Sequence, residues 1–208
     1  MKHELIGKQF KTNEGYIIEV VNYENKNRVT VKFSCNPDYT IVSTTQNIKN
    51  GQIKYPYHKS VYNRGYYGVG PYKARINNIK TKAYVTWFSM MTRCYNPTYH
   101  KRQPTYIDCE VCEEWLNFQN YAKWFEENYY ESDYKLELDK DLFSSSKVYS
   151  PDTCCFLPKK LNCRLKNYKN NPIKLIESYN EFKHDLPERI VDQLKLLCEQ
   201  EVLNYELS

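Results

Sequence analysis

Three groups of residues have types and spacing that could do chemistry. The first lies in LELDKDLFSSSKVYSPDTCCFLPKKLN, Leu136 to Asn162. Leu136–Leu142 reads as a short strand, SSSK as a turn and Thr153–Leu157 as a second strand. PKKLNCRLKN then starts a helix with Pro158 in its first turn. A hairpin followed by a helix can hold one hard cation between a strand-end carboxylate and a helix side chain. The cation then sits on a phosphate oxygen while a neighbouring histidine deprotonates the attacking water. Here a lysine stands where that chemistry wants a histidine.

The second group is the cysteines, eight in 208 residues. CEVC places Cys109 and Cys112 three apart, Cys94 precedes them, and Cys154, Cys155 and Cys163 follow. Four thiolates could hold a structural Zn²⁺ tetrahedrally. No second CxxC exists, however, and adjacent cysteines suit one metal poorly. A buried cluster of small apolar thiols is the favoured reading, zinc the second and a disulfide the third. Cys35 and Cys198 read as ordinary core or surface residues.

The third group is YPYHKSVYNRGYYGVGPYKAR, residues 55–75, where tyrosines alternate with Lys59, Arg64, Lys73 and Arg75. Aromatic faces beside basic tips can stack bases and hold phosphates. The competing reading is an irregular connector pinned to its neighbours by its tyrosines.

The elements that must position these groups follow from pattern. Tyr16–Tyr23, Arg28–Phe33 and Tyr39–Thr44 are rich in β-branched and aromatic residues. ENKN, NPD and KNGQI punctuate them as turns, which predicts a small antiparallel sheet or barrel. From Thr81, Tyr84, Trp87, Phe88, Met91 and Tyr95 recur at helical spacing until NP stops the helix. Trp115, Phe118, Ala122 and Phe125 make the stripe of a second helix, with Glu113 and Glu114 in its first turn. Both stripes read as core. YKNNP at 168–172 is a break, and two helices close the chain, the last with Ile190, Leu194, Leu197 and Val202 on one side.

Charge is unevenly placed. Residues 1–82 carry 14 Lys and Arg against 5 Asp and Glu, while the whole chain is only +5. The N-terminal part is the natural face for a polyanion, although any lysine-rich surface gives such a count. The opening MKHELIGKQF has charges where a signal peptide would be apolar, and no apolar run approaches the roughly 18 residues of a membrane span. The expectation is a cytoplasmic protein.

WFSMMTRCYNP, PTYIDCEVCEEWLNFQNYAKWF and LELDKDL…VYSPDTCCFLPKKLN together resemble phage-encoded HNH-type, or ββα-metal, proteins related to intron-borne homing endonucleases. IGKQFKTNEGYIIEVVNY, the 47–70 stretch and FKHDLPERIVDQL are similar to other parts of the same proteins. The resemblance implies that Asp139 is the metal-binding aspartate and that Lys140 occupies the place of the general-base histidine. It puts Thr153 at the asparagine that orients that base, and Asn162 at a helix position able to ligate metal. The thiols matching Cys94, Cys112 and Cys154 recur there without Cys109, which favours a core role. NYKNNPIKLI is too short for the extra DNA-binding module that many relatives carry.

These readings converge on an α+β protein. The expected parts are a small antiparallel β domain (1–54), a Tyr/Gly-rich basic connector (55–82), an HNH-like domain (83–166) and C-terminal helices (167–208). The expected function is a DNA-acting protein of a phage or mobile element, as a divalent-metal-dependent endonuclease with altered catalytic residues. Mg²⁺ or Mn²⁺ would sit on Asp139 and Asn162. DNA would be met by Lys59, Arg64, Lys73, Arg75, Lys159 and Lys160. The alternative is a non-catalytic protein on the same scaffold, binding DNA or a host protein such as a defence component. Lysine at 140 would be a cation at neutral pH and a poor base, so it is left to touch phosphate, or the site is dead. The competing reading of Asp139 is a hairpin carboxylate solvated beside Lys140.

Overall fold

The structure is a computed structural model describing residues 4–166 and 172–206. Of the break read at 168–172, residues 168–171 lie outside the described residues. The chain is α+β and divides into two compact units, Met1–His58 and Lys59–Ser208.

The first unit is a four-stranded antiparallel meander of β1 (Gln9–Lys11), β2 (Ile17–Asn25), β3 (Arg28–Phe33) and β4 (Asn36–Ser43), followed by a short helix α1 (Thr45–Lys49). Alternation sends Ile18, Val20, Val29, Val31 and Phe33 to one face, where Ile48 and Ile53 cover them. The rings of Tyr16, Tyr39 and Tyr55 lie 4.8–6.1 Å from that of Phe33, so these tyrosines wall the core. NPD is not a turn. Its residues form a bulge at the start of the edge strand β4, with Phe33 paired to Asn36 while Lys32 pairs with Thr40, and the turn falls on Ser34–Cys35. An edge strand tolerates Pro37 because its N–H side needs no partner. Gly51 is required: its φ is +67°, and a Cβ there would stand 2.7 Å from Asn13 Oδ1.

The second unit opens with the tyrosine-rich segment, which is no free connector. Residues 55–58 fold with the first unit, and Val61 is already core of the second. Next come a two-stranded hairpin of β5 (Arg75–Ile76) and β6 (Ile79–Lys80), then α2 (Lys82–Tyr95) capped by Thr81, then α3 (Pro97–Arg102) capped by Asn96. Asn96 thus ends one helix and starts the next, so the NP signal marks a joint.

After a 3-10 turn come β7 (Glu110–Val111), α4 (Glu113–Leu116) and α5 (Phe118–Asn128). The expected single helix is broken at Asn117 because the backbone of Tyr66 inserts there. Tyr66 N–H donates to Leu116 O and Phe118 N–H donates to Tyr66 O, both at 2.9 Å. Gln119 secures the same segment: its side chain accepts from Tyr72 N–H and donates to the carbonyls of Tyr67 and Tyr72. Gly65 lies so close to α2 that a Cβ would stand 2.8 Å from Met91 Cε and 2.9 Å from Trp87 Cζ2. Trp87, Met90, Met91, Trp115, Phe118, Tyr121 and Phe156 form the core beneath, and the Trp87 indole donates to Trp115 O at 2.7 Å.

β8 (Leu136–Asp139) pairs antiparallel with β10 (Cys155–Pro158), and α6 (Lys159–Leu165) follows directly. Pro158 caps the helix instead of sitting in its first turn. Inside the long loop, β9 (Val148–Tyr149) pairs in parallel with β7. Helices α7 (Pro172–Phe182) and α8 (Glu188–Glu206) bury Leu175, Phe182, Ile190 and Leu194 against Leu157 and Leu161. No helix among the described residues is long and apolar enough to cross a membrane.

Candidate functional site

Period-two alternation along β8 turns Leu138 into the core and places Glu137 and Asp139 on the opposite face. Asn162, in the second turn of α6, comes to that face: its Nδ2 donates to Glu137 Oε2 at 3.4 Å. Asp139, Asp141 and Asn162 line two clefts that share them as a wall. One, of about 320 Å³, runs against α2 and is also lined by Thr86, Ser89, Arg93 and Lys140. The other, of about 590 Å³, opens toward Phe143 and Leu197.

Asp139 is nearly buried. Its Oδ2 accepts the backbone N–H groups of Asp141 and Leu142, each at 2.9 Å. Burial pushes its carboxyl above the ordinary range, and the two N–H groups, which favour the anion, offset this only in part. Asp139 is therefore not a solvated hairpin carboxylate. It is a desolvated acid held in a fixed orientation.

Lys140 is buried too, with a side chain 8% exposed. Its Nζ donates to Asp141 Oδ1 at 2.5 Å and to Ser146 O at 3.5 Å, and it stands 5.8 Å from the centre of the Tyr149 ring. Burial works against the ammonium, but the Asp141 carboxylate outweighs it and the net shift is upward. Lys140 is a fixed cation and no base.

Thr153 is not brought to either cleft. Its hydroxyl donates to Val148 O at 2.8 Å and accepts from Ser150 N–H at 3.1 Å, which fastens the turn before β10. No described histidine lines these clefts. His100 is engaged elsewhere, with Nε2 2.7 Å from Arg93 O, and His184 is exposed.

Arg93 is the functional candidate that sequence reasoning missed. It comes from α2 and donates from Nη1 to Leu138 O at 3.4 Å and to Tyr149 Oη at 3.3 Å. Among the described residues it has no carboxylate within ion-pair distance, although it is half-buried. Guanidinium stays charged in proteins and carries five donors, so most of its hydrogen-bonding capacity is open to an anion. The signal was present in the sequence: Thr86, Ser89 and Arg93 make a polar stripe at i, i+3 and i+7 on a mostly apolar helix. Lys135 and Lys166, both exposed, add charge at the rim of the same cleft.

The other basic residues differ in availability. Lys59, Lys73 and Lys159 are exposed. Arg64 is exposed with its guanidinium 5.6 Å from the centre of the Tyr95 ring. Arg75 donates to Asn78 O at 3.2 Å. Lys160 is paired with Glu181, which also holds Arg164, so it offers less charge than its sequence position suggests.

Among the described residues, no three His, Cys, Asp or Glu side chains come together as a metal's ligand set. Cys94, Cys109 and Cys154 are buried in the core and Cys112 packs against it, all four as free thiols. Burial pushes Cys94 and Cys154 up to about 12, which keeps them protonated. A scan against protein-family models, a search of curated proteins and a search of solved structures each find no match.

Proposed function

We propose that this chain is an HNH-like DNA-acting protein that holds a phosphodiester in the cleft between α2 and the β8–β10–α6 unit. The observation that carries the reading is Arg93: a half-buried guanidinium, without a carboxylate partner among the described residues, facing the cleft that Asp139 and Asn162 also line. A charge so placed is costly unless an anion compensates it, and a phosphate accepts guanidinium donors well. Asp139 and Asn162 fit a Mg²⁺ or Mn²⁺ that keeps most of its water and borrows a phosphate oxygen, which is how magnesium usually binds. Such an ion would supply Lewis-acid stabilisation of the phosphate and an acidified water. The chain's own part is orientation. The Asp141 and Leu142 N–H groups aim the Asp139 carboxylate, and the Glu137 carboxylate holds the Asn162 amide.

A second, non-catalytic reading is favoured by the fixation of Lys140. With that ammonium tied to Asp141 and no described histidine in the cleft, neither supplies the general-base contribution of roughly 10²–10⁴-fold.

The test is to incubate the protein with supercoiled DNA and Mg²⁺ or Mn²⁺, beside Asp139→Ala, with binding measured between 50 and 200 mM salt. Binding that weakens steeply with salt supports the reading. Nicking lost in Asp139→Ala makes the protein an endonuclease, and binding without nicking selects the second reading. No binding at the lowest salt refutes both and turns attention to a protein partner.

A further inference from the structure

The β5–β6 hairpin breaks two local rules at once. Ile76 and Ile79 are paired in register beside the turn, yet they are 58% and 73% exposed. Arg75 and Lys80 are the neighbouring pair, directly opposite each other, and like charges so placed cost stability. The turn itself is built for the hairpin: Asn77 and Asn78 both have positive φ, 49° and 64°, as a two-residue type I′ connection needs. Arg75 is braced on the carbonyl of Asn78, and Lys80 Nζ lies about 6 Å from the rings of Tyr84 and Phe88. A ribbon that is well formed but spends its apolar pair on water is under a constraint other than stability.

Its surroundings say what kind of partner would relieve it. From Lys59 to Ile107 the chain holds nine Lys and Arg and not one Asp or Glu. An apolar tip on a stem that carries Arg75 and Lys80 suits duplex DNA, where isoleucine wedges unstack a base step while flanking cations hold the phosphates. We infer that the β5–β6 hairpin is a DNA-deforming wedge, with Ile76 and Ile79 inserted between base pairs and Arg75 and Lys80 on the flanking backbone. The inference rests on the DNA-binding reading above and deepens it.

The experiment uses the full chain and a duplex carrying 2-aminopurine, whose fluorescence rises on unstacking. Wild type should raise the fluorescence. Ile76→Thr with Ile79→Thr keeps β-branching, so the hairpin survives. This variant should abolish the rise and lower duplex affinity roughly tenfold at fixed salt, while leaving the salt slope unchanged. Ile76→Leu with Ile79→Leu should behave as wild type. Arg75→Gln with Lys80→Gln should reduce the salt slope by about 2. Wild-type binding with no fluorescence rise, or a threonine variant that binds and unstacks normally, overturns the wedge while the DNA reading stands, and leaves the isoleucine pair for a protein partner. An unchanged slope in the glutamine variant overturns the placement of the hairpin on the backbone. A wild type that binds no duplex overturns both readings.

Discussion

Asp141 should matter more to stability than Lys140, although only Lys140 is buried. The pair joins an ammonium whose side chain is 8% exposed to a carboxylate that is 69% exposed, at 2.5 Å. Asp141→Ala leaves the ammonium with Ser146 O at 3.5 Å and the Tyr149 ring. The charge-assisted hydrogen bond is lost, which costs about 2 kcal/mol. Lys140→Met removes the buried charge and leaves Asp141 in water, where it needs no partner. The methionine can lie on the Tyr149 ring, so the net cost should stay within about 1 kcal/mol. The double variant should cost no more than Lys140→Met alone, which gives a coupling of roughly 2 kcal/mol. Urea unfolding at pH 7 with unchanged m-values measures all three. A Lys140→Met variant as unstable as Asp141→Ala would refute the reasoning, because the lysine would then be contributing through packing and not through its charge.

Arg93→Met should alter stability by less than about 1 kcal/mol, since it loses two long hydrogen bonds and a half-buried charge together. It should also lower the salt slope of DNA binding by about 1, measured by fluorescence anisotropy. Gly65→Ala should cost about 1–3 kcal/mol in thermal or urea unfolding, because the Trp87 ring it meets cannot move aside as Met91 can. A native thiol titration should show Cys35 and Cys163 reacting fast and Cys94, Cys154 and Cys155 only on unfolding, with a zinc chelator leaving the melting temperature unchanged.

Elements with strong periodicity were legible. The stripe through Tyr84, Trp87 and Met91 gave α2 and its buried face, and the β-rich stretches gave β2 and β3. The order strand, turn, strand, helix read over 136–166 holds, but the strands shorten to Leu136–Asp139 and Cys155–Pro158. The SSSK turn is part of a long loop that contains β9, and the order brings Asp139 and Asn162 to one wall. What was not legible depends on distant partners. Asn117 is a preferred N-cap type, and its side chain accepts Gln119 N–H, but a lone asparagine does not announce a break whose other cause is the backbone of Tyr66. The parallel pair of β7 and β9 has two residues per strand, too few for a pattern. NPD reads as a turn by composition, but the hydrogen bonds of β3 absorb it as a bulge. Lys140 was expected to be free for phosphate because sequence shows neither its burial nor its grip on Asp141.

The insertion of Tyr66 at Asn117 decides where this chain can be cut. A fragment starting at residue 81 keeps every described helix of the second unit but loses the strand of backbone that caps Leu116 and Phe118 and satisfies Gln119. It also uncovers Trp87, against which Gly65 is laid. A fragment that keeps this packing therefore has to begin near Lys59. A recombination event that shuffles this unit between genes has to carry the tyrosine-rich segment with it, and cannot treat that segment as disposable tether.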